Sequence, residues 1–174
     1  IQWSNPLAED FIGYDFTITN MGVVTIDDVY LGMFSDFDVG PRGLQSAASD
    51  DYAGFVSTVA PASDGTMVPV QVAYMYDGAT QQGLPGYAGW VLCGHTTDAA
   101  GIAAPVEPGV LSFQRFAGNA SFESGGDPTN DAERYDVLSR DEWDGNVLPG
   151  RQNDYRLLMS SGPFTSLAPG QSIS

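Results

Sequence analysis

The sequence predicts an all-β fold: a β-sandwich of two antiparallel sheets with one short helical insertion. Its 174 residues include 21 glycines and 11 prolines, and these are spread along the chain, as in folds of many short strands joined by turns. Several segments between the turns are rich in β-branched and aromatic residues. Hydrophobic residues make up 43%, enough apolar surface for one core. This length suits a single domain over residues 1–174.

The strands are predicted from alternation and composition. The segment Phe11–Asn20 places Ile12, Tyr14, Phe16 and Ile18 on one face, which predicts a strand with that face on a core. Five more segments have strand composition with turn residues between them: Val29–Phe34, Val68–Tyr76, Gly86–Cys93, Val110–Phe116 and Tyr155–Ser160. Ile173 opens a further strand. Six strands and the start of a seventh are therefore expected.

One segment has the signals of a helix instead. Asn130 or Asp131 can cap a helix that runs through Arg140, and the acidic Asp131 and Glu133 fall in its first turn. The segments Gly40–Gly54, Thr96–Gly109 and Gly118–Asn130 are predicted as long loops, where ligand contacts tend to lie.

The charge balance limits the classes of partner. Six arginines, no lysine and 22 acidic residues give a net charge of −16. Such a surface repels phosphate backbones and anionic lipid head groups. Nucleic-acid binding and membrane association are therefore disfavoured.

The densest acidic feature follows a predicted strand. Asp36 and Asp38 are two residues apart, so their carboxylates share a face of an extended chain, and Asp50 and Asp51 follow in the next loop. Calcium takes six to eight oxygen ligands, which carboxylates and loop carbonyls supply. Four converging carboxylates would also repel one another without a cation. The sequence therefore predicts a Ca²⁺ site at Asp36, Asp38, Asp50 and Asp51, although aspartate is also common in ordinary turns.

Other acidic groups flank the predicted helix. These groups are interpreted as helix caps and turn residues, and the alternative is that they bind a second ion. They are Asp127, Asn130 and Asp131 before the helix, and Asp141, Asp144, Asn146 and Asp154 after it. Asp77, which precedes Gly78, is interpreted as a turn residue whose carboxylate could instead reach the first site.

Catalytic chemistry finds little support. Cys93 and His95 are the single cysteine and histidine, too few soft ligands for structural zinc, and no Gly-x-Ser-x-Gly elbow exists. The sequence therefore predicts no enzyme. Two alternatives stay open: a glycosidase that uses two carboxylates, and a carbohydrate-binding accessory module of a secreted hydrolase with Trp143 as its exposed aromatic residue.

Six stretches resemble a β-rich module of large secreted and surface-attached bacterial proteins, often exported by the type IX route. The resemblance spans nearly the whole chain: Tyr14–Asn20, Asp28–Gly40, Ala73–Gly78, Asn130–Tyr135, Asp154–Thr165 and Ala168–Gly170. It implies an extracellular or cell-surface location, a chain that is a segment of a longer polypeptide, and ion binding at the four aspartates.

The expected function is that of a Ca²⁺-stabilised structural or adhesive module in a surface assembly, a filament or a multidomain secreted protein. Its expected partners are neighbouring domains or like subunits, with carbohydrate as the alternative.

Overall fold

The computed structural model describes residues 10–40, 48–78, 86–95 and 110–174. These residues form eight strands, one α-helix and a 3-10 turn at Phe122–Ser124. In chain order the strands and the helix are β1 Ile18–Thr19, β2 Ile26–Asp36, β3 Asp51–Pro61, β4 Met67–Asp77, β5 Tyr87–Val91, β6 Ser112–Ala117, α1 Asp131–Ser139, β7 Tyr155–Leu167 and β8 Ser172–Ile173. In this part of the chain no helix has the length and hydropathy to cross a membrane.

The strands form two three-stranded sheets, β2-β7-β6 and β3-β4-β5, and a two-stranded sheet, β1-β8. All the pairings are antiparallel. The all-β prediction with one helix is therefore confirmed, and the small β1-β8 sheet is an addition to the two sheets expected.

The main core lies between the two larger sheets. Phe113, Leu157 and Met159 come from the sheet β2-β7-β6, and Ala53 and Met75 come from the sheet β3-β4-β5. All five are buried. Burial of both inner faces in one cluster is the packing of a β-sandwich.

The predicted strand Phe11–Asn20 is mostly wrong. Only Ile18 and Thr19 form a strand, β1, while Ile12, Tyr14 and Phe16 are 56–58% exposed. Alternation shows that a segment could cover a core, but strand structure also needs a partner, and within the described residues the partner strand β8 has only two residues. Outside β1, Ile12 lies in an isolated β-bridge.

The strand β3 was not predicted at all, and its first residues fell within the expected loop Gly40–Gly54. Asp51, Gly54 and Pro61 are weak strand signals within it, yet all eleven residues pair with β4. Strands β2 and β7 are also longer than predicted, and β5 ends at Val91, which leaves Cys93 exposed outside the strand. The predicted loop Thr96–Gly109 lies outside the described residues.

Helix α1 matches the predicted segment closely. The Asn130 side chain accepts a hydrogen bond from the Glu133 backbone N–H at 3.1 Å, and the helix ends with Arg140 as its C-cap. A side-chain cap of this kind satisfies an N–H group that has no partner inside the helix. The sequence signal was reliable here because capping is a local interaction.

Candidate metal centre

Acidic residues from both large sheets meet at one end of the sandwich. Strands β2 and β4 end there, and β3 and β7 begin there. Asp36 on β2 pairs with Arg156 on β7, and Asp51 on β3 pairs with Asp77 on β4. A bridge between Asp51 and Asn153 joins the two sheets at this end. The fold thus gathers carboxylates that are more than a hundred residues apart in sequence.

Three carboxylates form the tightest group. One oxygen from each of Asp36, Asp38 and Asp154 lies within 4.8 Å of the others. Asp36 and Asp38 are exposed, and Asp154 is partly buried. The spacing of Asp36 and Asp38 predicts that their carboxylates lie together, and they do. Asp154 was predicted only as part of a secondary acidic group, because no local pattern shows that the start of β7 returns to the end of β2.

Asp51 lies close enough to Asp38 to feel its charge and is fully buried. The backbone N–H of Val39 donates to its Oδ2 at 3.3 Å, which places the carboxylate beside the residue that follows Asp38. The other oxygen, Oδ1, has no hydrogen-bond partner among the described residues. An oxygen that is buried without a partner is costly in a folded protein.

The burial of Asp51 also changes its protonation. Desolvation, together with the negative charges of Asp50, Asp77 and Asp38, raises the pKa of Asp51 to about 7, although the Val39 N–H bond opposes the change. The three neighbouring carboxylates show that Asp51 lies in a strongly negative environment. A cation in this environment would favour the ionised form.

The four predicted ligands therefore do not form one closed set. Asp36 and Asp38 join Asp154, whereas Asp50 and Asp51 belong to an adjacent group with Asp77. Asp38 belongs to both groups, since it lies close to Asp36 and Asp154 and also acts on the pKa of Asp51. The alternative interpretation of Asp77, that it reaches the first site, agrees with its effect on Asp51.

Among the residues that the structure describes, one arginine lies among these acidic side chains. The Arg156 guanidinium forms ion pairs with Asp154 at 2.8 Å, Asp36 at 3.2 Å and Asp127 at 3.6 Å. Burial raises the pKa of Asp127, and the Arg156 charge opposes this effect. Counted over the described residues alone, the single positive charge of Arg156 pairs with three carboxylates, which leaves this group with a net negative charge.

The donor set is suited to a hard cation. The three clustered ligand residues are all carboxylates, and calcium and magnesium prefer oxygen ligands, whereas zinc and copper favour imidazole or thiolate. Calcium tolerates irregular coordination geometry better than magnesium does.

Trp143, the aromatic residue singled out for carbohydrate binding, lies at a different place. It bridges to Phe113 on β6, and its ring packs edge-on against Phe55 at 5.0 Å. Its indole N–H donates to Asp141 at 2.9 Å, and the residue is 44% exposed. Trp143 therefore packs against the sandwich and still presents part of its ring to solvent.

Comparison with known proteins identified no relative of this chain. No protein-family model, curated protein or solved structure matches this chain.

Proposed function

We propose that this chain is a structural or adhesive module of an extracellular or cell-surface protein, and that calcium stabilises its β-sandwich at the acidic end. The observation that carries the proposal is the convergence of Asp36, Asp38 and Asp154 beside the buried Asp51. Extracellular calcium modules bind the ion at about 10⁻⁴–10⁻³ M. A loose carboxylate site of this kind suits that range.

The ion would be held by Asp36, Asp38 and Asp154. Asp36 ends β2 and Asp154 directly precedes β7, so the ion would tie together two neighbouring strands of one sheet. Asp51, next to Asp38, begins β3 in the other sheet. The positive charge would offset the repulsion among these carboxylates, so that calcium binding favours the folded state over the unfolded state. Rigidity that depends on calcium suits a stalk, a filament or a surface layer.

The proposal predicts that calcium raises the melting temperature. At 10 mM Ca²⁺, a site with the affinity given above adds about 1.4–2.7 kcal/mol to the free energy of unfolding. For a chain of this length that raises the melting temperature by about 3–11 °C over the protein in chelator. Scanning calorimetry in Ca²⁺, in Mg²⁺ and in chelator measures the effect.

The matched variants are Asp38→Asn and Asp27→Asn. Both remove one exposed negative charge from the β2 region, but Asp27 lies at the opposite end of β2, about 30 Å away for an extended strand. Asp38→Asn should lose most of the calcium effect and Asp27→Asn should keep it. An equal melting temperature in calcium and in chelator for the unmodified protein would refute the proposal.

Carbohydrate binding is the second candidate, and the exposed part of Trp143 favours it. Sugars stack on accessible aromatic rings. If this candidate is right, Trp143→Ala should abolish retention on insoluble polysaccharides in a pull-down assay, and Trp90→Ala, a core-packed residue, serves as the folding control. Absence of retention for the unmodified protein on cellulose, chitin and xylan would remove the candidate.

A further inference from the structure

None of the outward residues of the sheet β3-β4-β5, all of them described by the structure, carries a charge. Ala53, Phe55 and Ala73 are among the residues of this sheet that pack into the core, so the residues that alternate with them face outward. Nine of these thirteen outward residues are tyrosine or valine: Tyr52, Gly54, Val56, Thr58, Ala60, Val68, Val70, Val72, Tyr74, Tyr76, Tyr87, Gly89 and Val91. The outward residues of an antiparallel sheet that faces water are ordinarily polar, so an apolar face of this size indicates an interaction surface.

The two halves of this face differ in height. Tyr76 pairs with Tyr52 on β3 and with Tyr87 on β5, and their rings stack with centroids 5.2 Å and 5.3 Å apart. Tyr74 stacks on Tyr76 at 6.2 Å. These four side chains form a tyrosine ridge. The other half consists of shorter side chains and is here called the valine shelf: Val56, Thr58, Ala60, Val68 and Val70.

The valine shelf lies on a hairpin that the rest of the fold supports only in part. Strand β5 pairs with residues 72–76 of β4, so among the described residues the shelf has two strands and no third. Val56 and Val68 on the shelf are exposed, and so are Val59 and Met67 on the reverse side of the same hairpin. A hairpin of two strands is marginally stable in water by itself. A partner that covers the shelf would therefore stabilise it.

The charge of the chain favours a second copy that packs in one orientation. A net charge of −16 makes two copies repel each other over most of their surfaces, but not where two uncharged faces meet. A two-fold axis that lies between the faces and perpendicular to the strands reverses the strand direction. It therefore places the ridge of each copy on the shelf of the other. It also puts the two acidic ends, marked by Asp51 and Asp77, at opposite ends of the pair.

The size of the face suits a weak dimer. Strands β3 and β4 have eleven residues each, which is a length of about 37 Å, and three strands give a width of about 14 Å. Two such faces together cover about 1,000 Å², the lower limit for a specific interface.

We propose that the outer face of the sheet β3-β4-β5 is the interface of a two-fold symmetric dimer, in which the tyrosine ridge of each copy packs on the valine shelf of the other. This inference extends the structural role proposed above and does not depend on calcium. The same surface patch serves both copies, as in other two-fold interfaces. With Val72 near the axis, Tyr74 of one copy faces Val70 of the other.

The test is sedimentation velocity of the whole chain in chelator, where no divalent ion can bridge carboxylates between copies. The unmodified protein should show a monomer–dimer equilibrium with a Kd on the order of 10–100 µM. Tyr74→Arg and Val70→Glu should each raise the Kd by about tenfold or more, because each buries a charge without a partner. An equimolar mixture of the two variants should recover a Kd within about threefold of the unmodified protein, because the new arginine then faces the new glutamate.

The matched controls are Tyr135→Arg and Val23→Glu, which introduce the same charges at exposed positions outside this sheet and should leave the Kd unchanged. Circular dichroism shows whether each variant folds. Val68→Glu, at an exposed position on the same shelf, replaces Val70→Glu in the comparison if the latter does not fold.

Three results would overturn the inference. A protein that stays monomeric at about 1 mM, well above the expected Kd, has no such dimer, and retention of that monomer on cellulose or chitin, lost in Tyr74→Arg, would show that the face binds polysaccharide instead. A dimer that neither variant weakens uses another surface. A dimer that both variants weaken but the mixture does not restore lacks the proposed two-fold arrangement. The calcium dependence of the melting temperature is measured separately, so the proposed function and this inference can fail independently.

Discussion

Replacing Asp51 by asparagine should stabilise the calcium-free protein at pH 8 by about 2–4 kcal/mol. The burial of Asp51 and its negative neighbours raise its pKa from 3.8 to about 7, and one pKa unit corresponds to about 1.4 kcal/mol. Asparagine has nearly the same shape and carries no charge. It therefore avoids the cost of ionising a buried carboxyl group.

The same variant should change the pH dependence of stability. Because the folded pKa of Asp51 lies above its unfolded value, the folded protein binds the proton more tightly. The contribution of Asp51 to the stability of the calcium-free protein should therefore be most favourable below about pH 4, decline as the pH rises from about 4 to about 7, and stay constant above pH 7. Asp51→Asn should remove this slope.

Urea unfolding at several pH values measures both effects, with Asp27→Asn as the control for a lost surface charge. Addition of calcium should stabilise the unmodified protein more than Asp51→Asn, since the variant has already lost the charge that the ion would offset. Loss of stability in calcium-free Asp51→Asn at pH 8 would contradict this account of the site.

Replacing Phe113 by alanine should destabilise the protein by about 3–5 kcal/mol, the usual cost of removing a large buried aromatic side chain. Phe113 on β6 is fully buried and its ring stacks on Phe55 of β3 at 5.2 Å. This contact joins the two large sheets, so its loss leaves a cavity between them. The acidic end of the sandwich depends on the same packing, because its carboxylates come from both sheets.

Phe34 provides the comparison for Phe113. It lies in the same sheet and stacks on Phe116 at 5.9 Å, but it is 45% exposed. Phe34→Ala should therefore cost about 1 kcal/mol, measured by urea unfolding under the same conditions. Equal losses for the two variants would show that the contact between the sheets does not dominate the stability of the fold.

Local signals in the sequence were sufficient to predict much of the fold. The cap at Asn130 and the β-branched and aromatic residues of β4 identified a helix and a strand, because capping and half-burial depend on nearby residues. The strand β3 was missed although Phe55, Val56 and Val59 favour strands, because Asp51 and Gly54 at its start are typical of a loop. The segment Phe11–Asn20 failed for the opposite reason: its composition is strand-like, but its strand within the described residues is only the two-residue β1, paired with β8.

The residues of the candidate site also fall into those that local sequence predicts and those that only the tertiary structure brings together. Asp36 and Asp38 could be placed together because two residues along an extended chain return to the same face. Asp154 and Arg156 reach them only through the register of β7 against β2, which no local pattern encodes. The burial of Asp51 likewise depends on how the two sheets pack, so its raised pKa could not be anticipated from composition.

The central claim is that a calcium ion binds between Asp36, Asp38 and Asp154, and a crystal structure of the protein grown in calcium chloride tests it most directly. We expect an ion with oxygens of these three carboxylates at about 2.3–2.6 Å. Crystals grown in calcium chloride in which no ion lies between the three carboxylates would contradict the claim.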